Sequence, residues 1–242
     1  MHAVENEPAE CPAVAVIEVK MNSANRKLLA IAALLLPGAV SAYESGDWIV
    51  RSGIVNVSPN DDSDEIQIAG APAANSSVSV DDDTQLLLNV TWMATESVGL
   101  ELLAASPFEH EIEADALGTT LDLATVKHLP PTLSALWYPM GGKSAFQPFF
   151  GLGLNYTVFF DEDLSSTAQT ALGADDLELD DSWGWSFRAG FDYMFDDNWS
   201  VHAGAYYIDL QTEAELDTAL GRASVDVEID PWVYTAGVGY RF

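Results

Sequence analysis

Five charged residues sit where an alternating chain would aim them at its own interior. Arg51, Glu101, Arg188, Asp192 and Arg241 are each spaced so that bulky neighbours such as Phe187, Phe191, Tyr240 and Phe242 point the other way. Opposite charges in a confined, poorly hydrated space are expected to pair, because an unpaired buried charge is costly. The chemistry they offer is a neutralised polar floor. Other reactive residue types give less. His110, His128 and His202 lie far apart without metal-ligand spacing, and no stretch has the spacing of a calcium loop, so neither a metal nor another cofactor is expected. There is no G-x-S-x-G, and Ser182 beside Asp181 has no histidine near it in sequence. Without a nucleophile and its base at an outer rim, the chain reads as non-enzymatic. The single cysteine, Cys11, excludes disulfides from everything downstream.

The elements that position these side chains have a period of two. From the C-terminus backwards, Phe242, Tyr240, Val238, Ala236, Tyr234 and Trp232 form one face, and Arg241, Gly239, Gly237 and Thr235 the other. Trp183 to Phe195 and Phe150 to Phe160 repeat the pattern, with bulky apolar residues on one face and small or polar ones opposite. A soluble strand buries its bulk, whereas bulk outside with aromatics at both ends of the face is the signature of a membrane barrel and its girdles. Five further segments, Trp48–Val57, Thr84–Ala94, Val98–Ser106, Thr125–Tyr138 and Trp199–Leu210, bring the count to eight strands. Their connections alternate. Thr95–Ser97, Pro139–Ser144 and Asp196–Asn198 are short turns, while Ser58–Asp83, Pro107–Ala124, Asp161–Ser182 and Gln211–Asp230 are long and acidic. Short periplasmic turns and long extracellular loops then place Trp48, Trp92, Trp137 and Trp199 at the periplasmic rim and Trp183 and Trp232 at the outer one. A soluble lipocalin-like calyx is the competing eight-stranded architecture, and the aromatic rims speak against it.

Composition agrees with export. Met21–Ala42 has Arg26 and Lys27 ahead of an apolar run and a small-residue end at Val40, Ser41 and Ala42, the three sections of a signal peptide. Pro37 and Gly38 interrupt that run, and its length falls short of the roughly 20 residues of a spanning helix. Residues 1–20 have no place in such a leader and are expected to be a mis-assigned extension of the gene start, which leaves 43–242 as the barrel. With 38 acidic against 9 basic residues and a formal charge of −29, the chain has no basic surface for nucleic acid. The acids crowd the long loops, where they form a solvated surface facing lipopolysaccharide.

Four stretches, TQLLLNVTWMATESVGLELLAASPFEHEI (Thr84–Ile112), KHLPPTLSALWYP (Lys127–Pro139), FQPFFGLGLNYTVFFDE (Phe146–Glu162) and DPWVYTAGVGYRF (Asp230–Phe242), resemble the OmpW family of outer-membrane proteins. The resemblance implies an all-β, eight-stranded antiparallel transmembrane barrel whose narrow, largely hydrophobic lumen passes small apolar molecules inward. It also implies that the terminal strand, with Tyr240 and Phe242, is recognised by the barrel-assembly machinery. Outer-membrane lipid, lipopolysaccharide and a small hydrophobic solute are the expected partners. Oligomeric state is not encoded in any of these features.

Eight strands enclose room for packed side chains or one slim ligand, never a wide aqueous pore. On the alternation, Val55, Val57, Leu87, Leu103, Phe159, Tyr206, Ile208 and Val233 line the outer half of the lumen, above the floor of Arg51, Glu101, Arg188, Asp192 and Arg241. That arrangement is either an apolar funnel or simple packing of a closed barrel that works in surface recognition or membrane integrity. Pro130 and Pro131 fall inside one strand, where two consecutive missing donors weaken the wall. They mark a lateral gate or a kink satisfied by a bulge.

Overall fold

The structure, a computed structural model, describes residues 42–60, 62–116 and 119–242. The expected extension at 1–20 and the expected signal peptide Met21–Ala42, apart from Ala42 itself, lie outside the described residues. Eight antiparallel strands close a barrel: β1 (Trp48–Ser58), β2 (Asp83–Thr95), β3 (Val98–Ala105), β6 (Thr132–Trp137), β7 (Phe146–Leu164), β8 (Ser182–Met194), β9 (Trp199–Ile208) and β12 (Trp232–Arg241). β1 pairs with β12, with Ile49 opposite Arg241 and Ser58 opposite Trp232, and this closes the sheet on itself without an edge. No helix among the described residues is long and apolar enough to cross a membrane.

The barrel is inside-out relative to a soluble protein. Leu86, Leu152 and Leu154 are 69%, 66% and 62% exposed, while Arg51, Arg188 and Asp192 are fully buried. Register sets the girdles. Trp48 lies opposite Trp92, Trp137 opposite Phe150 and Trp199 opposite Tyr240 at the short-turn end. At the long-loop end, Tyr156 lies opposite Trp183 and Tyr207 opposite Trp232. All these rings sit on the outer face, at the two levels where an amphipathic ring meets both lipid and water.

Beyond the outer girdle the structure departs from the expectation of loops. Much of each long connection is strand: β4 (Phe108–Ala116), β5 (Thr119–Leu129), β10 (Gln211–Thr218), β11 (Gly221–Glu228), the upper part of β7 and the segments Ser77–Val80 and Asp176–Leu179. One short helix, α1 (Ser166–Leu172), is capped by the Ser165 hydroxyl, which accepts from the Ala168 N–H. The reason is a change of outer face. In β10 and β11 the buried positions are Thr212, Leu216, Ala223, Val225 and Val227, and the exposed ones include Glu213, Asp217, Arg222 and Asp226. These strands alternate like soluble ones, so the barrel wall continues past the membrane with acids where lipid contacts had been.

The proposed single strand Thr125–Tyr138 is also corrected: it breaks into β5 and β6 at Pro130–Pro131. Proline supplies no N–H to the ladder. β3 pairs with β6 as far as Leu103 opposite Thr132. Pairing on this seam resumes only at Phe108 opposite His128, between β4 and β5. The carbonyls that the missing ladder leaves over are satisfied locally. Pro130 O accepts from Thr132 Oγ1 at 3.1 Å and Asn155 Nδ2 at 3.3 Å, and Pro131 O from the Tyr156 N–H at 3.1 Å.

Candidate functional site: an apolar lumen over a charge-paired layer

The interior is stacked in three layers, because inward positions two residues apart on each strand lie at successive heights. Lowest is an apolar layer of Tyr43, Ile49, Met93, Leu136, Tyr138, Phe149 and Met194, each no more than 2% exposed. Sequence reasoning missed this layer beneath the charges. Tyr43 lies ahead of β1 and Tyr138 just past the end of β6, and the Pro139–Ser144 turn folds under the barrel against Tyr43. At that turn Gly142 adopts φ +69°, and a Cβ there would meet the Tyr43 carbonyl oxygen at 2.2 Å.

Above it lies the charged layer. Arg51 holds Asp192 through two bonds, Nε to Oδ1 at 3.0 Å and Nη2 to Oδ2 at 2.7 Å, and donates from Nη1 to Glu101 at 3.1 Å. Glu101 also pairs with Arg188 and accepts from the Thr91 and Tyr206 hydroxyls at 3.0 and 3.1 Å. Asp192 accepts from the Tyr43 hydroxyl at 2.6 Å and from His202 Nδ1 at 2.9 Å. The other His202 nitrogen lies 3.2 Å from Arg188 Nη2, so one neutral imidazole bridges the two ion pairs. Two guanidiniums thus face two carboxylates, all four side chains at most 1% exposed. The Arg188 guanidinium is further sandwiched between the Phe149 and Tyr206 rings, 4.6 and 4.5 Å from their centroids. Gly190 makes that possible, since a Cβ there would lie 2.5 Å from Phe149 Cζ. At this height the interior is occupied by paired, buried side chains.

Arg241 is a correction to the floor. Register places Gly239, not Arg241, opposite Arg51. Arg241 sits lower, opposite Ile49, where its Nη1 donates to Ala42 O at 2.8 Å and lies 3.6 Å from Asp47. Asn89 and Thr91 join the layer without having been singled out, His202 joins it in place of the isolated role its spacing suggested, and Tyr138 accepts from Arg51 with its hydroxyl from the layer below. Asn89 and Thr91 carry the same inward alternation as Leu87 and could have been found by it.

The third layer is apolar. Val55, Val57, Leu87, Leu103, Tyr206, Ile208 and Val233 are all buried in one cluster with Phe108 and Leu210, and Phe159 packs against it partly buried. Tyr206 belongs to both layers, its ring apolar and its hydroxyl on Glu101. Over this cluster lie two cavities. The inner, about 60 Å³, is walled by Val57, His128, Phe159, Val225 and Ile229. The outer, about 370 Å³, is walled by Ile66, Leu121, Leu172, Leu216 and Leu220. They share Val78, Leu123, Leu177, Ala214 and Val225 as walls, so the two apolar cavities adjoin toward the long-loop end.

His110 and His128, far apart in sequence, meet on the wall of the inner cavity, Nε2 to Nε2 at 2.9 Å. The β4–β5 register, which puts Phe108 opposite His128, brings them together. Both lie beyond the outer girdle, since His128 is opposite Phe159, three residues above Tyr156. Burial pushes His128 down to about 3, with His110 beside it adding to the effect, and burial also lowers His110. The pair is neutral at ordinary pH. No group of three or more His, Cys, Asp or Glu capable of holding a metal occurs among the described residues.

Comparison with known proteins places this architecture. The OmpW family model matches residues 44–242. Outer membrane protein W of Vibrio cholerae serotype O1 is 42% identical over 216 residues, covering 88% of this chain and 97% of that protein. The crystal structure of outer membrane protein OprG from Pseudomonas aeruginosa superposes with a TM-score of 0.80 at 43% identity, covering 84% of this chain and 99% of that one. A more distant relative, 21% identical over 82% of this chain and 90% of its own length, is the dibenzothiophene metabolism operon protein PahQ of Pseudomonas aeruginosa.

Proposed function

Since the chain belongs to the OmpW family and is an outer-membrane β-barrel, we propose that it is a non-enzymatic route by which small apolar molecules cross the lipopolysaccharide barrier. The observation that carries this reading is the pair of adjoining apolar cavities toward the long-loop end, set above a buried, charge-paired layer. A solute that has entered cannot continue to the periplasm through Arg51, Glu101, Arg188 and Asp192 without exchanging apolar contacts for buried charge. The wall offers another direction. Between Leu103–Thr132 and Phe108–His128 the seam lacks ladder pairs, with Pro130 and Pro131 on one side and Pro107 on the other. We assign this seam, which lies at the level of the outer girdle, as the lateral gate through which the solute leaves into the upper edge of the bilayer. That route never moves an apolar molecule into water. The printed name of the distant relative, which ties that protein to metabolism of an apolar sulfur heterocycle, is in keeping with such cargo.

The test is made in vesicles with a lipopolysaccharide outer leaflet, comparing transfer of a small apolar fluorophore with ion conductance in a planar bilayer. The proposal expects faster fluorophore transfer than in protein-free vesicles, with no steady ion current. Transfer equal to that of protein-free vesicles would favour the alternative, a closed barrel acting through its acidic loops as a recognition or membrane-integrity protein.

A further inference from the structure

The His110–His128 pair contains one hydrogen-bonding position that the protein leaves empty. His110 Nδ1 lies 2.5 Å from the carbonyl oxygen of Asp81. A carbonyl oxygen can only accept, so Nδ1 carries the proton, and in a neutral imidazole Nε2 is then a lone pair. That lone pair faces His128 Nε2 at 2.9 Å, which must therefore be the N–H. His128 Nδ1 is left as an acceptor by elimination, and it is buried with no partner. One backbone carbonyl thus fixes the protonation pattern of both rings.

A buried acceptor without a donor is costly, and native proteins rarely leave one unexplained. This one belongs to a residue that lines the inner cavity and is only 6% exposed. Phe108 and Phe159 hold its ring at centroid distances of 5.3 and 5.8 Å, and the other polar side chains of the lining are already engaged, His110 with His128 itself and the Thr212 hydroxyl with Asp180 O at 2.7 Å. A slim, largely apolar site whose one unpartnered acceptor is His128 Nδ1 selects a ligand that is apolar with a single donor. An alkane leaves the acceptor unmet. A carboxylate brings no donor when ionised, and it would approach a His110 neighbourhood that already contains Asp81, Asp82 and Asp83.

Building on the apolar-uptake reading, we propose that the inner cavity binds neutral molecules of the aliphatic alcohol or phenol class, with the hydroxyl donating to His128 Nδ1 and the carbon skeleton running outward into the larger cavity. The position adjoins the unpaired seam, since His128 is the first residue paired above it. A hydroxylated solute therefore pauses beside the gate, while one without a donor passes unheld.

The test uses the full chain in lipid nanodiscs with two isomers, 1-octanol and 1-methoxyheptane. They share a formula, but only the alcohol has a donor. Partition is measured against empty nanodiscs, so that lipid uptake is subtracted. The proposal expects about five-fold tighter retention of the alcohol, the equilibrium counterpart of one net hydrogen bond, and a shift of the His128 Nδ1 ¹⁵N resonance with octanol and not with the ether. His128→Phe keeps the aromatic stack and should bind both isomers equally. Should that variant not fold, the wild-type comparison and the nitrogen resonance decide alone. Equal retention of the isomers by the wild type, with an unmoved resonance, would overturn the alcohol assignment and leave the apolar route standing. Retention of neither would overturn both.

Discussion

Neutralising Glu101 removes one negative charge from a layer in which two arginines face two carboxylates. Glu101→Gln keeps the shape of the side chain, yet Arg51 and Arg188 are then left with Asp192 as their one anionic partner. The side chain is 1% exposed and has contacts with Arg51, Arg188, Thr91 and Tyr206, so no water is at hand to solvate the excess charge. Removing one member of such a buried pair typically costs about 3–5 kcal/mol, because the partner stays buried and uncompensated. That corresponds to a shift in the unfolding equilibrium of roughly a hundred-fold to several thousand-fold. Adding Arg188→Met restores neutrality, and the double variant should regain much of the loss, with a coupling energy of about 2 kcal/mol or more. Urea unfolding of the purified chain in lipid vesicles, followed by tryptophan fluorescence and by heat-modifiable gel mobility, gives all four corners of the cycle. A Glu101→Gln barrel within about 0.5 kcal/mol of wild type would mean that water reaches the layer, and the argument that the lumen is closed there would fail.

Two further outcomes follow from particular residues. Phe242 is 70% exposed, its ring 4.8 Å from that of Tyr240 and its N–H bonded to Trp48 O at 2.8 Å; Phe242→Ser is expected to cut the amount of heat-modifiable barrel in the membrane, and a normal yield would make it a girdle aromatic with no part in assembly. The His128 ring sets a pH window: its proton is accepted near 6.5 when unfolded and only near 3 when folded, so the unfolded segment binds more protons in between. Stability of the β4–β5 hairpin is therefore full above 6.5 and lost as pH falls toward 3. Amide exchange in Phe108–Leu129, corrected for intrinsic rates, should accelerate through that window in wild type and distinctly less in His128→Phe, where His110 alone remains.

Much of this was written in the alternation. The terminal strand's Trp232-to-Phe242 face announces lipid outside, and the same period puts Arg51, Glu101, Arg188 and Asp192 within. What escaped has identifiable causes. Arg241 has the right parity but the wrong height, which only the β1–β12 register reveals. The Gln211–Thr218 and Gly221–Glu228 strands looked like loops because their outer faces turn acidic once past the membrane, which breaks the bulk-outside rule used to find the others. His110 and His128 are joined by hairpin register, and nothing in their spacing signals a contact. The lower apolar layer draws Tyr43 from the segment ahead of β1, where periodicity gives no direction.

The central claim, that apolar molecules travel through the lumen itself, is tested most directly at Ile208. Its side chain is 2% exposed and packs in the cluster beneath the inner cavity, so Ile208→Arg places a charge inside the passage without touching the lipid face. The measurement is the uptake rate of a small apolar probe by cells carrying equal amounts of wild-type or Ile208→Arg barrel, with cells lacking the protein as baseline. The account predicts that the variant falls to baseline. Uptake equal to wild type in a well-folded Ile208→Arg barrel would contradict it.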